Sequence, residues 1–248
     1  MTVKDIYDFL DSIAPFDTAE EWDNCGLSVG SFDKKAEKIY IALDVTEDVL
    51  EDALSFGADL VITHHPLIFN PVSQITSDSL VFKAVASGMS FVASHTCLDK
   101  ATGGVNDCLA KKVGIENLKT AEGEGFLKYG EISPCNAEDF AKRIKSALGG
   151  AVSFTDSGKT IKTVALCSGS GGDLVLEAKN AGADALLTGE AKHHEYLLSK
   201  SAGISLFVAG HYETENIVCE YLGEQLSNAF KNEIQVKVSD LKNPVNYI

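Results

Sequence analysis

Nothing in this 248-residue chain approaches the roughly 20 consecutive apolar residues that span a bilayer, so no transmembrane helix and no membrane partner are expected. The opening "MTVKDIYDFLDSIAPF" sets acids among its apolar residues, unlike a signal peptide, and a cytoplasmic location is the expectation. Cys-x-x-Cys is missing: the six cysteines (25, 97, 108, 135, 167 and 219) are scattered, which excludes a zinc ribbon and signals no disulfide framework. Positive charge is scarce as well. With 21 basic against 36 acidic residues the net charge is −15, and no Lys/Arg cluster forms a basic face, so nonspecific nucleic-acid binding is not expected. A phosphorylated small molecule would need a local cation to hold it.

What the chain does have is 45% hydrophobic residues, enough for a packed core, and an internal repeat. The first copy runs "KIYIALDVTEDVLEDALSFGADLVITHH" and then "GMSFVASHTCLD"; the second runs "IKTVALCSGSGGDLVLEAKNAGADALLTGE" and then "GISLFVAGHYETE". Each has a strand ending in Ala-Leu, a helix-like stretch, Gly-Ala-Asp, a strand reaching Thr, Gly-x-Ser, a third strand, and a histidine with an acid four residues on. Strands are expected at 39–43, 60–63, 90–94, 163–167, 185–188 and 205–209, alternating with helices, which predicts α/β units with substantially parallel strands. Thr46 before Glu47 and Asp48 reads as a helix cap. The Gly- and acid-rich "AEGEGFLKYGEIS" is the boundary candidate, giving two similar α/β domains, 1–122 and 123–248. One continuous sheet carrying a relic of the repeat is the alternative.

Ligands of α/β sheets gather at the carboxyl ends of strands. His64 and His65, His95 and Asp99, and His211 and Glu215 all fall at such ends. A histidine and an acid four positions apart share a face if the segment turns helically, so "HTCLD" and "HYETE" can each aim two groups at one point. Adjacent strand residues point to opposite faces, so His64 and His65 suit two ions, or a strand already opened into a loop before Pro66. Imidazole and carboxylate without thiolate favour Zn, Fe, Mn, Co or Ni. Two divalent ions bridged by a carboxylate, with metal-bound hydroxide as nucleophile, are the expected outcome. His95 is assigned outside the ligand set, as a group donating a hydrogen bond to it or orienting Asp99.

Glu190 occupies in the second copy the place of His65 in the first, and His194 follows at helical spacing. The two are the candidate catalytic pair for proton transfer. In "CSGSGGDL", residues 168 to 172 either cradle a phosphate on backbone N–H groups or simply join strand to helix, the second being the better reading. In "EEWDNCGLSVG", Trp22 reads as a core residue, while Asp23 and Asn24 either line the site or cap a turn.

Taken in order, "EEWDNCGLSVG", "VITHHPLIF", "SHTCLDKATGGVND", "SGSGG", "TGEAKHHE" and "AGHYETEN" resemble the Nif-three-like family over nearly the whole chain. Its members are commonly labelled GTP cyclohydrolase I type 2 homologues. The resemblance implies two similar α/β domains with a dinuclear metal site in the cleft between them, and subunits assembled as a toroidal homohexamer. It places the ligands on His64, His65, Asp99, His211 and Glu215, with Glu215 as the bridge. Residues 123 to 160 are too few for the domain that longer relatives insert, which marks a short, bacterial-type member; Cys25 and Cys97 stand inside motifs as small departures. The implied activity is a metal-dependent hydrolase acting on a small molecule, a nucleotide included, by GTP cyclohydrolase-like ring opening. A metal-dependent phosphoesterase, or a non-enzymatic metal-handling or regulatory interaction protein, are the alternatives, because fold alone does not name a substrate.

Overall fold

The computed structural model describes residues 1–123 and 125–246. Residue contacts divide the chain into two compact units: Met1–Thr102 with Val218–Lys242, and Gly103–Ile217 with the segment from Asn243. The boundary candidate near residue 122 lies between two paired strands of the second unit, described below.

The first unit opens with helix α1 (Val3–Ile13), which Thr2 and Asp5 close reciprocally in a capping box. Five strands form its sheet in the order β1-β4-β3-β2-β11: β1 (Gly26–Val29), β2 (Lys38–Ala42), β3 (Leu60–Thr63), β4 (Ser90–Ala93) and β11 (Gln235–Val238). The neighbours β4, β3, β2 and β11 are parallel, and β1 is an antiparallel edge. Helices α2 (Glu47–Phe56) and α3 (Leu80–Ser87) connect the parallel strands. Thr46 Oγ1 accepts from Val49 N at 3.1 Å, and left-handed Gly57 ends α2 where a side chain would strain the backbone. Val49, Leu50 and Ala53 of α2 pack with Tyr40, Val61 and Phe91 of the sheet, whose central strands β3 and β4 are buried on both faces. After β4 the chain turns into α4 (Thr96–Lys100).

The second unit begins with α5 (Val105–Val113) and carries six strands in the order β5-β6-β8-β9-β10-β7. These are β5 (Glu116–Thr120), β6 (Lys128–Cys135), β7 (Ser153–Thr155), β8 (Ile161–Cys167), β9 (Ala185–Thr188) and β10 (Ser205–Val208). Only β8, β9 and β10 are parallel; β5, β6 and β7 pair antiparallel. Helix α6 (Ala137–Leu148) follows β6, α7 (Val175–Asn180) and α8 (His193–Ala202) link the parallel strands, and α9 (His211–Glu215) follows β10. From Val218 onward α10 (Ile217–Ala229) returns to the first unit, followed by β11.

The repeat is therefore structural: β2-α2-β3-α3-β4-α4 matches β8-α7-β9-α8-β10-α9. Its Gly-Ala-Asp signature has one mechanical use in both copies. Asp59 Oδ2 accepts from the backbone N–H groups of Glu37 and Lys38 at 2.9 and 3.0 Å, and Asp184 Oδ2 from those of Lys162 and Thr163 at 2.9 and 3.0 Å. Each aspartate thus pins the entry of the first repeat strand to the start of the second. Two separate sheets replace the alternative of one continuous sheet.

Candidate metal centre

In the first unit, β3 ends at Thr63 and delivers His64 and His65, while β4 ends at Ala93 and delivers His95 and, on α4, Asp99. One ring nitrogen from each of His64, His65 and His95 lies within 4.8 Å of the others. All three imidazoles are held through Nδ1 by an oxygen. His64 Nδ1 donates to the carbonyl of Ser94 at 2.9 Å, His65 Nδ1 meets Asp44 Oδ1 at 2.7 Å, and His95 Nδ1 meets Asp23 Oδ1 at 2.9 Å. A carbonyl or carboxylate on Nδ1 fixes the proton there and gives Nε2 the lone pair, the tautomer and orientation a metal ligand needs. His64 Nε2 stands 3.5 Å from Asp99 Oδ1, both groups buried.

Asp23 anchors this corner. Its side chain is fully buried and accepts from Thr96 N at 3.0 Å, from the Thr96 hydroxyl, and from Cys25 Sγ at 3.1 Å. Burial alone would raise its pKa, but the donors His95, Thr96 and Cys25 outweigh that and hold the carboxyl well below the usual carboxylate range. The two cysteines that depart from the family motifs touch: Cys25 Sγ lies 3.6 Å from Cys97 Sγ, and this contact, followed by burial, pushes the Cys25 thiol up. Asn24 Nδ2 donates to the Ile68 carbonyl at 2.6 Å, tying the segment after Trp22 to the loop after the histidines. Asp23 both holds His95 and serves the turn, accepting from Asn24 N at 2.7 Å.

In the second unit β9 ends at Thr188, followed by Gly189 and Glu190 where the first copy has His64 and His65. Gly189 has no room for a side chain, since a Cβ would press on Gly169 O, Thr214 Oγ1 and His211 Cα. Glu190 Oε1 lies 3.3 Å from His211 Nδ1, and His211 Nε2 lies 3.0 Å from Glu215 Oε2, so His211 sits between two carboxylates. Glu215 is buried, and a Cβ on Gly169, whose φ is +58°, would collide with its Oε1.

The Gly-rich segment is accordingly a strap against Glu215 and not an open anion nest. Its N–H groups at Ser168, Gly169 and Gly171 donate to Asn106 Oδ1, Thr214 Oγ1 and Thr188 Oγ1 at 2.8, 3.1 and 2.9 Å.

Two readings of the sequence change here. Glu190 and His194 do not share a helix, because α8 starts only at His193, after Glu195 has taken the Lys192 N–H at 2.6 Å. Glu190 instead meets His211, while His194 is 73% exposed with Glu195 at 3.9 Å. Trp22 is not core: it is 59% exposed. Asp44, which tethers His65, escaped the sequence reading although it stands just beyond the carboxyl end of β2, where strand-end logic applies equally.

The fold and these clusters define a protein of two like α/β units, each presenting imidazole and carboxylate at the ends of its parallel strands. The family profile described as Duf34/NIF3 (NGG1p interacting factor 3) matches residues 1–244. A Clostridium perfringens protein named GTP cyclohydrolase 1 type 2 homolog is 31% identical over 262 residues, with both chains covered completely. A Helicobacter pylori protein named GTP cyclohydrolase 1 type 2 is 30% identical, with 99% of each chain covered. The crystal structure of Staphylococcus aureus protein SA1388 superposes with a TM-score of 0.93 at 30% identity, covering 100% of this chain and 99% of that one. The chain belongs to the Duf34/NIF3 family.

Proposed function

We propose that this protein is a divalent-metal-dependent hydrolase acting on a nucleotide. The observation that carries the reading is the oxygen tether on Nδ1 of both His64 and His65, with the Glu190 carboxylate 3.3 Å from Nδ1 of His211. Structural histidines need no such uniform treatment, whereas ligating ones nearly always have it. The donor set fits the implied ions: neutral imidazoles and carboxylates without a committed thiolate suit Zn, Fe, Mn, Co or Ni.

In this reading His64, His65 and Asp99 of the first unit and His211 and Glu215 of the second supply ligands to two divalent ions. Bound ions would lower the pKa of water toward neutrality and polarise the substrate. The protein's own groups do the rest. Ser94, Asp44 and Asp23 hold the imidazoles of the first unit in one tautomer, so no reorientation is needed on binding. Glu190 orients His211 and, with its carboxylate reaching solvent, is the group placed to hold or pass a proton at His211 Nδ1. His194, exposed on α8, has no part in this scheme. A nucleotide substrate is supported by the names of the relatives, and a homohexamer by the family resemblance.

The test is product analysis with GTP and metal-loaded protein. Ring opening releases formate and phosphoester cleavage releases phosphate, so formate production is the expected result. Metal-loaded protein that releases neither, and surrenders its ions readily to a weak chelator, would favour a metal-handling role.

A further inference from the structure

Resting on the nucleotide reading above, we propose that Trp22 and Phe69 form a stacking platform that holds the base of the nucleotide beside the histidine cluster. Both rings are exposed, Trp22 at 59% and Phe69 at 46%. They nevertheless touch, with centroids 5.8 Å apart, and each meets the His95 ring edge-on, at 6.2 and 5.9 Å. His95 lies in turn 5.0 and 5.3 Å from the rings of His64 and His65. The two exposed rings thus pack against His95, which in turn packs against His64 and His65.

The platform is held in place from behind. Asp23, next to Trp22 in the chain, is locked to His95 and Thr96, and Asn24 Nδ2 holds the carbonyl of Ile68, the residue before Phe69. Large aromatic rings fixed in solvent forgo the burial that normally stabilises them, and such exposed patches mark places that something else covers. A planar base is the occupant the chemistry favours. The chain carries a net charge of −15, so it offers a polyanionic phosphate little attraction of its own, and the neutral ring is the part these side chains can hold. Stacking on aromatic side chains is tolerant of base identity and is worth roughly 5- to 150-fold in affinity per base. A base held here presents its ring to the metal ligands, which favours ring hydrolysis over attack on the phosphates.

Trp22 is the chain's single tryptophan, so its fluorescence reports the platform directly. Guanosine and GTP are titrated into the metal-loaded full-length protein, with inorganic triphosphate as the base-free probe. Saturable quenching by guanosine and GTP, and none by triphosphate, is expected. Phe69→Ala should weaken the quenching affinity about 5- to 150-fold. Trp22→Ala should weaken GTP binding in equilibrium dialysis to a similar extent, Trp22→Phe should largely restore it, and metal content should be unchanged in every variant. Emission indifferent to guanosine while the ions are bound would overturn the platform and leave the metal reading standing. So would a Trp22→Ala variant that binds GTP normally, or one that only changes the oligomeric state, which would make the rings a contact between copies. If the protein instead holds no ions, the hydrolase reading fails, and the guanosine titration still decides the platform by itself.

Discussion

At the residue scale the informative feature is what stands behind each histidine. His65 depends on one partly exposed carboxylate, Asp44, for its Nδ1 contact, and that dependence can be removed without opening a cavity in the core. Asp44→Ala is expected to leave the thermal midpoint of the metal-free protein within about a degree while lowering metal affinity 10- to 100-fold, as measured by chelator competition. Unchanged affinity would show that the tether is incidental. The histidines themselves were legible in the sequence because His64, His65, His95 and His211 recur at equivalent strand ends. Trp22 was not, because residue type encodes apolarity and says nothing of what covers it. Nor was the Glu190–His211 pairing, because helical spacing was applied across Lys192, which the helix does not include.

At the element scale the two copies share a frame, and the difference that bears on the clusters lies at one turn. The parallel strands β2-β3-β4 and β8-β9-β10 were readable from short β-branched runs and the recurring Gly-Ala-Asp. The strands β1, β5, β6, β7 and β11 were not: β5 is largely exposed and shows no alternation, and β11 pairs with β2 from nearly 200 residues away, beyond the reach of local pattern. The difference lies at the β9 turn, where Gly189 replaces a histidine and the strap from Ser168 to Gly172 fills the space. Gly169→Ala tests that packing. Its Cβ would meet Glu215 Oε1, and its backbone is left-handed, so a loss of about 1–3 kcal/mol in denaturant stability is expected together with reduced metal content. A variant with wild-type stability and metal content would mean that the strap yields freely and does not position Glu215.

At the scale of the whole molecule, acidic composition and the clustering of imidazoles and carboxylates act together. A chain of net charge −15 repels itself, and it gathers carboxylates that divalent cations would neutralise. Ions that bind the folded protein and not the unfolded chain stabilise it by mass action, by about 2.7 kcal/mol when free metal is a hundredfold above its dissociation constant. Treatment with a strong chelator is therefore expected to lower the unfolding temperature by several degrees, reversibly on adding the metal back; an unchanged midpoint would place the ions outside the folded state's energetics. The family and the arrangement of two like α/β halves could be read from the sequence. The course of the chain could not, since the return of α10 and β11 to the first unit depends on long-range strand pairing.

Metal ligation is the role proposed for the histidine and carboxylate sets, and elemental analysis of the purified protein can confirm or refute it. Wild-type protein is compared with Asp99→Asn and Glu215→Gln, which preserve side-chain shape while removing the charge. The expected result is close to two divalent ions per chain in the wild type and a clear loss in both variants with the fold retained. Wild-type protein that carries only trace metal after growth and dialysis in metal-supplemented buffer, or variants that carry as much as the wild type, would contradict it.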